Sequence, residues 1–142
     1  MSTIFFPLEG CLKSATERRT ILASSVMKLF QEGFTPVPAD PVATYDANEA
    51  DYSGYVAQTI TNWSLPMFAP GGGYMISTPL LQFMFDSGSG SVANNIAGAW
   101  VEDAAGAARQ TVIFTDLIPV GADEQGVQFY MVALFTPSLV SD

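Results

Sequence analysis

Residues 55–63 read Tyr-Val-Ala-Gln-Thr-Ile-Thr-Asn-Trp. Val56, Gln58, Ile60 and Asn62 alternate with Tyr55, Ala57, Thr59, Thr61 and Trp63. A period of two puts successive side chains on opposite faces of a strand, and β-branched and aromatic residues favour that conformation. Further candidates lie on both sides of this stretch: Val42–Tyr45, Tyr74–Ser77, Leu80–Phe85, Ile96–Glu102, Thr111–Phe114 and Val127–Phe135. Turn formers separate them: Pro70-Gly71-Gly72-Gly73, Ser87-Gly88-Ser89-Gly90-Ser91, Asp103-Ala104-Ala105-Gly106, and the segment from Gly121 to Gly126. Seven or so short strands joined in this way predict a mainly β chain, folded as a β-sandwich or jelly roll. No convincing helical segment interrupts them, which argues against an α/β fold.

Upstream the pattern changes. Residues 14–32 predict an N-terminal α-helix. Ser14-Ala15-Thr16-Glu17 has the form of a capping box, in which side chains satisfy the orphan N–H groups of a first turn. Leu22, Val26, Leu29 and Phe30 follow at helical spacing, Gly33 suits the position after a helix end, and Pro36 and Pro38 stop any continuation. Arg18 and Arg19 then fall in the first turns, where the helix dipole disfavours cations. Pro36, Pro38 and Pro41 stiffen residues 34–43 into an extended linker. The predicted organisation is a 1–33 attachment segment, a 34–43 linker and a 44–142 β-sandwich body. Ser87–Ser91 reads as a flexible loop tip.

Charge sharpens that division. Lys13, Arg18, Arg19 and Lys28 are four of the five basic residues, so residues 1–28 carry +2 and residues 29–142 carry –11. Basic and acidic parts so separated suggest an attachment element joined to an exposed module. A net charge of –9 disfavours binding to nucleic acid, which needs clustered Lys and Arg, and to an anionic membrane surface. Charged residues make up 13% of the chain against about 25% in ordinary domains. So weakly charged a surface suits a protein packed against neighbours. The apolar run Val127–Val140 is interrupted by Gln128, Thr136, Pro137 and Ser138 and falls short of the roughly 20 residues of a membrane helix. No N-terminal signal sequence is expected.

Catalytic designs are few. With no histidine, Ser-His-Asp and Cys-His arrangements are excluded, as is a zinc site of His and Cys. The single Cys11 forms no disulfide framework and reads as a small core or interface residue. Asp46-Ala47-Asn48-Glu49-Ala50-Asp51 invites a calcium reading, but Ala50, Asp51 and Ala57 fall where an EF-hand loop needs a ligand, a glycine and a glutamate. An acidic turn is the simpler reading. Glu102-Asp103 and Asp123-Glu124 read as loop charges, and Gly71-Gly72-Gly73 as a tight connection. No enzyme activity, cofactor or metal is expected.

Glu49-Ala50-Asp51-Tyr52-Ser53-Gly54-Tyr55, followed by Trp63 and Pro66, resembles a pattern in small structural proteins of tailed bacteriophages. Ala99-Trp100-Val101-Glu102-Asp103-Ala104-Ala105-Gly106 is similar to the same group. The resemblance covers about residues 40–136. It implies a virion localisation and a non-enzymatic role, as a head-decoration, capsid-associated or other virion-surface component built on a β-sandwich. The expected partners are other virion proteins and further copies of the chain, with a threefold homo-oligomer as the guess. Phe5, Phe6, Arg18, Arg19 and Lys28 are the candidate contacts to the lattice, assigned from charge and helix pattern. Tyr52, Tyr55, Trp63 and Phe68 are the candidates for self-association. The alternative is a carbohydrate-binding β-sandwich module that stacks sugars on exposed Tyr and Trp, with Trp63 and Trp100 as its test residues.

Overall fold

The computed structural model describes residues 3–4, 7–137 and 140–141. Strands take up 39% of the chain and helices 17%, so the protein is mainly β with an N-terminal helix. In chain order the elements are β1 (Thr3–Ile4), α1 (Leu8–Ile21), β2 (Ser25–Gln31), α2 (Val42–Asp46), β3 (Gln58–Ile60), β4 (Met67–Phe68), β5 (Tyr74–Ser77) and β6 (Leu81–Met84). After a single 3-10 turn at Ser87–Ser89 come β7 (Asn94–Glu102), β8 (Ala108–Val120), β9 (Gly126–Phe129), β10 (Val132–Phe135) and β11 (Val140–Ser141).

Every pairing is antiparallel. The largest sheet has the order β3-β2-β7-β8, and smaller sheets run β10-β5-β4, β6-β9 and β1-β11. The inner faces of the first three meet in one core, as in a β-sandwich. Met27 and Leu29 from β2, Ile60 from β3, Ile96, Ala99 and Val101 from β7, Ile76 from β5, Phe83 from β6, Val127 from β9 and Ala133 from β10 all belong to it.

The helix lies six residues earlier than its capping-box signal suggests. It starts after Pro7, whose missing N–H costs nothing at a helix start, and Ser14 sits inside it. Arg18 and Arg19 therefore occupy the last turn, where the dipole favours them. Ser24, at φ 57°, then turns the chain into β2. The residues read as the second half of a helix form a strand instead. Leu29 satisfies both periods, and pairing with β3 and β7 on either side decides for the strand. Ala15 and Leu22 pack into the main core. Through α1 and β2, residues 8–31 are thus built into the same sheets and core as the 44–142 body.

Three further expectations change. Val42–Tyr45 is helical, within α2, and Asn48 Nδ2 donates to the Thr44 carbonyl at its end. Only 58–60 of the 55–63 stretch pairs as a strand, because Tyr52–Tyr55 closes a turn (Tyr55 N–H to Tyr52 O, 2.9 Å). Val127–Phe135 is two strands in two sheets. The chain changes sheets at Met131, whose N–H and carbonyl bond the Thr78 hydroxyl and N–H at 3.0 Å each. The Ser87–Ser91 tip is pinned at its start, where Asp86 accepts from Gly88 N–H and Asp123 from Ser87 N–H.

β7 is buried on both faces. A β-bulge at Ala97, opposite Phe30 and Gln31 of β2, lets the strand serve two clusters. Ile96, Ala99 and Val101 face the main core, while Ala97 and Trp100 join Phe30 and Tyr45 in a second one. Gly98 is required there, since a Cβ would overlap the Val112 carbonyl and the Phe30 ring. α2 covers this second cluster, and Phe34 packs on its edge, 5.4 Å from Phe30 and 5.2 Å from Tyr45 between ring centres. The residues read as an extended linker are therefore anchored at Phe34 and again at α2.

Deleting residues 1–33 removes α1 and an inner strand of the largest sheet. The truncated chain is expected to lose its cooperative unfolding transition, measured by circular dichroism in urea. A cooperative transition in the truncated chain would contradict the integrated topology.

Candidate functional site

The outer face of β2 and β7 carries an ionic cluster. Lys28 Nζ lies 3.3 Å from Asp46, 3.3 Å from Glu102 and 4.0 Å from Glu49, and sits 5.9 Å above the Trp100 ring. Trp100 Nε1–H donates to Glu102 at 2.9 Å. Partial burial works against the Lys28 charge, but Glu49, Glu102 and Asp46 outweigh it and hold the ammonium above its ordinary 10.5. Lys28 keeps only 20% of its side chain exposed. Its charge is balanced within the molecule by Asp46, Glu49 and Glu102. Glu102 is buried within β7, which corrects its reading as a loop charge, while Asp103 sits in the β7–β8 turn as read, with its side chain buried.

Of the four aromatics expected to mediate self-association, Trp63 and Tyr52 are buried and Tyr55 is half-buried. Trp63 is buried, and its indole N–H donates to the Ser25 hydroxyl at 3.0 Å. Tyr52 is buried with no hydrogen-bond partner on its hydroxyl, and burial pushes that hydroxyl up to about 12. Tyr55 repairs the sheet. β3 pairs with Ser25–Met27, and Ala50 N–H bonds the Leu29 carbonyl further along the same edge of β2. Between them the Tyr55 hydroxyl accepts from Leu29 N–H at 3.1 Å and donates to Glu49 at 2.8 Å. Burial, reinforced by Glu49, pushes this hydroxyl well above its ordinary 10.0. Phe68 alone of the four is open, 74% exposed and stacked on Tyr74 at 5.0 Å.

The arginines differ from one another. Arg19 Nε–H donates to the Trp63 carbonyl at 3.1 Å, tying α1 to the body. Arg18 is half-buried and lines a groove of about 290 Å³ with Arg109, Gln110, Leu134 and Phe135. Arg109 pairs with Asp103 at 2.6 Å. Asp103 also accepts from Ala105 and Ala107 N–H, which closes the β7–β8 turn. The Ala107 N–H first, then the Arg109 guanidinium and Ala105 N–H, hold its carboxyl below the ordinary 3.8. Phe5 and Phe6 lie outside the described residues.

Two apolar surfaces face solvent. In the β10-β5-β4 sheet, Leu134, Met75 and Met67 are directly opposite one another and share the face away from Ala133 and Ile76. Leu134 is 60% exposed, and Leu65 just before β4 is 69% exposed. The second surface is β8, where Ile113 is 56% exposed and Leu117 is also open. A run such as Thr-Val-Ile-Phe marks a strand, and its place at a sheet edge, absent from the local pattern, leaves it uncovered. Trp63 and Trp100 are both buried, so neither offers a ring to a sugar. Among the described residues, no helix is long and apolar enough to cross a membrane.

Comparison with protein-family models, with curated proteins and with solved structures finds no match.

Two outcomes follow from the charge geometry. Lys28→Ala leaves Glu102 uncompensated and is expected to cost about 3 kcal/mol in urea unfolding, the scale for removing one partner of a mostly buried pair. The lowered Asp103 carboxyl adds stability that is present above pH 3.8 and lost as pH falls through its lower folded value. Asp103→Asn should flatten that part of the acid limb when urea midpoints are compared between pH 5 and pH 2.5. An unchanged acid limb would assign the loss to other groups.

Proposed function

We propose that this protein is a non-enzymatic structural component of a virion, which self-associates and docks on a capsid or other phage protein lattice. The observation that carries the reading is the exposed apolar surface of β8 and of the β10-β5-β4 sheet. Ile113, Leu117, Leu134, Met67, Leu65 and Phe68 stand open on ordered strands and their flanks while the core is filled. Contiguous exposed apolar surface on a folded domain marks a place where another surface belongs. Burial of such surface between copies supplies the association free energy, at roughly 25 cal/mol per Å² before the cost of ordering. The phage setting rests on the resemblance of residues about 40–136.

Within this reading the lattice contact moves from the N-terminal cations as a group to the groove that holds Arg18 and Arg109. There an acidic side chain of a neighbouring protein would find the Arg18 guanidinium beside Leu134 and Phe135, next to the Arg109–Asp103 pair. The carbohydrate alternative is set aside because its two tryptophans are interior.

The solution mass by light scattering tests self-association. A discrete multiple of 15.2 kDa is expected at micromolar concentration. A monomer that persists to millimolar concentration would overturn the reading.

A further inference from the structure

We propose that two copies of this chain pack face to face through the outer surface of the β10-β5-β4 sheet, about a twofold axis that passes Met75. The inference rests on the self-association reading and names its contact.

Charge is absent from two long parts of the chain. Residues 52–85 contain no Asp, Glu, Lys or Arg, and neither do residues 125–141. β4 and β5 come from the first stretch and β10 from the second, and pairing joins them into one sheet. Its inner face, with Ile76 and Ala133, fills the core. Its outer face carries Leu134, Met75 and Met67 in one row across the three strands. Val132 and Leu65 extend the row by two residues along β10 and before β4. Leu134, Val132, Met67 and Leu65 are exposed and Met75 is half-buried. The carboxylates of Asp46, Glu102 and Asp116 belong to α2, β7 and β8, which build the opposite sheet and its cover.

This division of charge selects a second copy as the occupant. In an ordinary domain about a quarter of the residues are charged, and most of those lie on the surface. Seating such a surface on the β10-β5-β4 face strips water from charges that meet no opposite charge across the contact. A second copy brings a sheet equally free of charge. The net charge of –9 adds to the same preference. Copies repel where their carboxylates approach within the Debye length, about 8 Å at physiological ionic strength. Apposed β10-β5-β4 faces hold the carboxylates of β7, β8 and α2 a further sheet spacing behind the contact in each copy, about 10 Å.

Packed sheets keep their strands within about 30° of one another. A twofold axis along β5, between the two sheets, lays β5 on the second copy's β5 and β10 on its β4. Met75 then meets Met75, and Leu134 meets Met67. The unbranched methionines adapt their shape to the branched leucines. Such a contact uses the same patch on both copies and closes as a dimer, in place of the threefold guess from the sequence. Arg18 and Arg109 line the groove beside Leu134, at the β10 margin, where an interface has its polar rim.

Sedimentation of the full chain tests this alongside Leu134→Glu and Met67→Lys, with folding of each variant checked by circular dichroism. The wild type is expected to be a dimer whose dissociation constant changes less than about threefold between about 0.05 and 0.5 M NaCl, because no charges face one another across the contact. Each variant places a charge in the apolar row and should weaken the dimer by about tenfold or more. Val56→Glu, at an exposed position outside this sheet, should leave it unchanged. Should one of the two variants fail to fold, the other decides. A trimer, a folded variant that pairs like the wild type, or a steep salt dependence would overturn the face contact and leave self-association standing. A wild-type monomer would overturn both, and its flotation with phosphatidylcholine vesicles would assign the face to a lipid surface instead.

Discussion

A strand with no solvent-facing side needs a cover on each face, and β7 obtains its two covers from different parts of the chain. Its inner face is met by the β5, β6, β9 and β10 segments. Its outer face is met by Phe30, Phe34 and the α2 tyrosine, Tyr45. The bulge at Ala97 and the missing side chain at Gly98 allow the second cover to sit close. The indole N–H of Trp100 needs an acceptor in that setting, Glu102 supplies it, and Lys28 then compensates the buried carboxylate. One aromatic ring in a central strand thus determines where the most acidic-flanked lysine of the chain must lie. This chain of requirements, each a consequence of desolvation, explains why a cation from the basic N-terminal region ends up inside the sheet.

The same arrangement sets what is left for other molecules. The core takes both Trp residues, the rings first expected to stack a sugar. Hydrophobic side chains remain exposed where the sheets end or turn their outer face to solvent. An outer face without a covering layer and an edge without a partner strand are both local consequences of a small sandwich. The first asks for apolar burial, and the second also for hydrogen bonds, which another strand can provide.

Much of the architecture was legible locally. Tyr74–Ser77, Leu80–Phe85, Ile96–Glu102 and Thr111–Phe114 all lie on observed strands to within a few residues, because alternation and turn-forming glycines act over short distances. The N-terminal helix was also legible in kind, though displaced. Its boundary was misread because Leu22, Val26, Leu29 and Phe30 match a helical face, while Met27 and Leu29 match a strand face as well. Only the two flanking strands, from residues about 30 and 70 positions away, resolve that ambiguity. Val127–Phe135 was misread for a similar reason, since a continuous apolar run carries no mark of the sheet change at Met131. Of the candidate site residues, Phe68 and Arg18 keep accessible positions, whereas Tyr52, Tyr55, Trp63 and Lys28 are taken up by the fold.

By itself the sequence determined the mainly β fold class and the absence of histidine-based designs. Period-two alternation, glycine-rich turns and the absence of histidine are properties of neighbouring residues or of composition, and no distant contact alters them. Tertiary structure alone decided which apolar and charged residues are interior. Burial of a strand depends on what lies beside and above it, so Trp100 and Ile113, both in apolar β stretches, come to opposite fates. One lies in a central strand beneath a helix, and the other on an edge that no described strand covers.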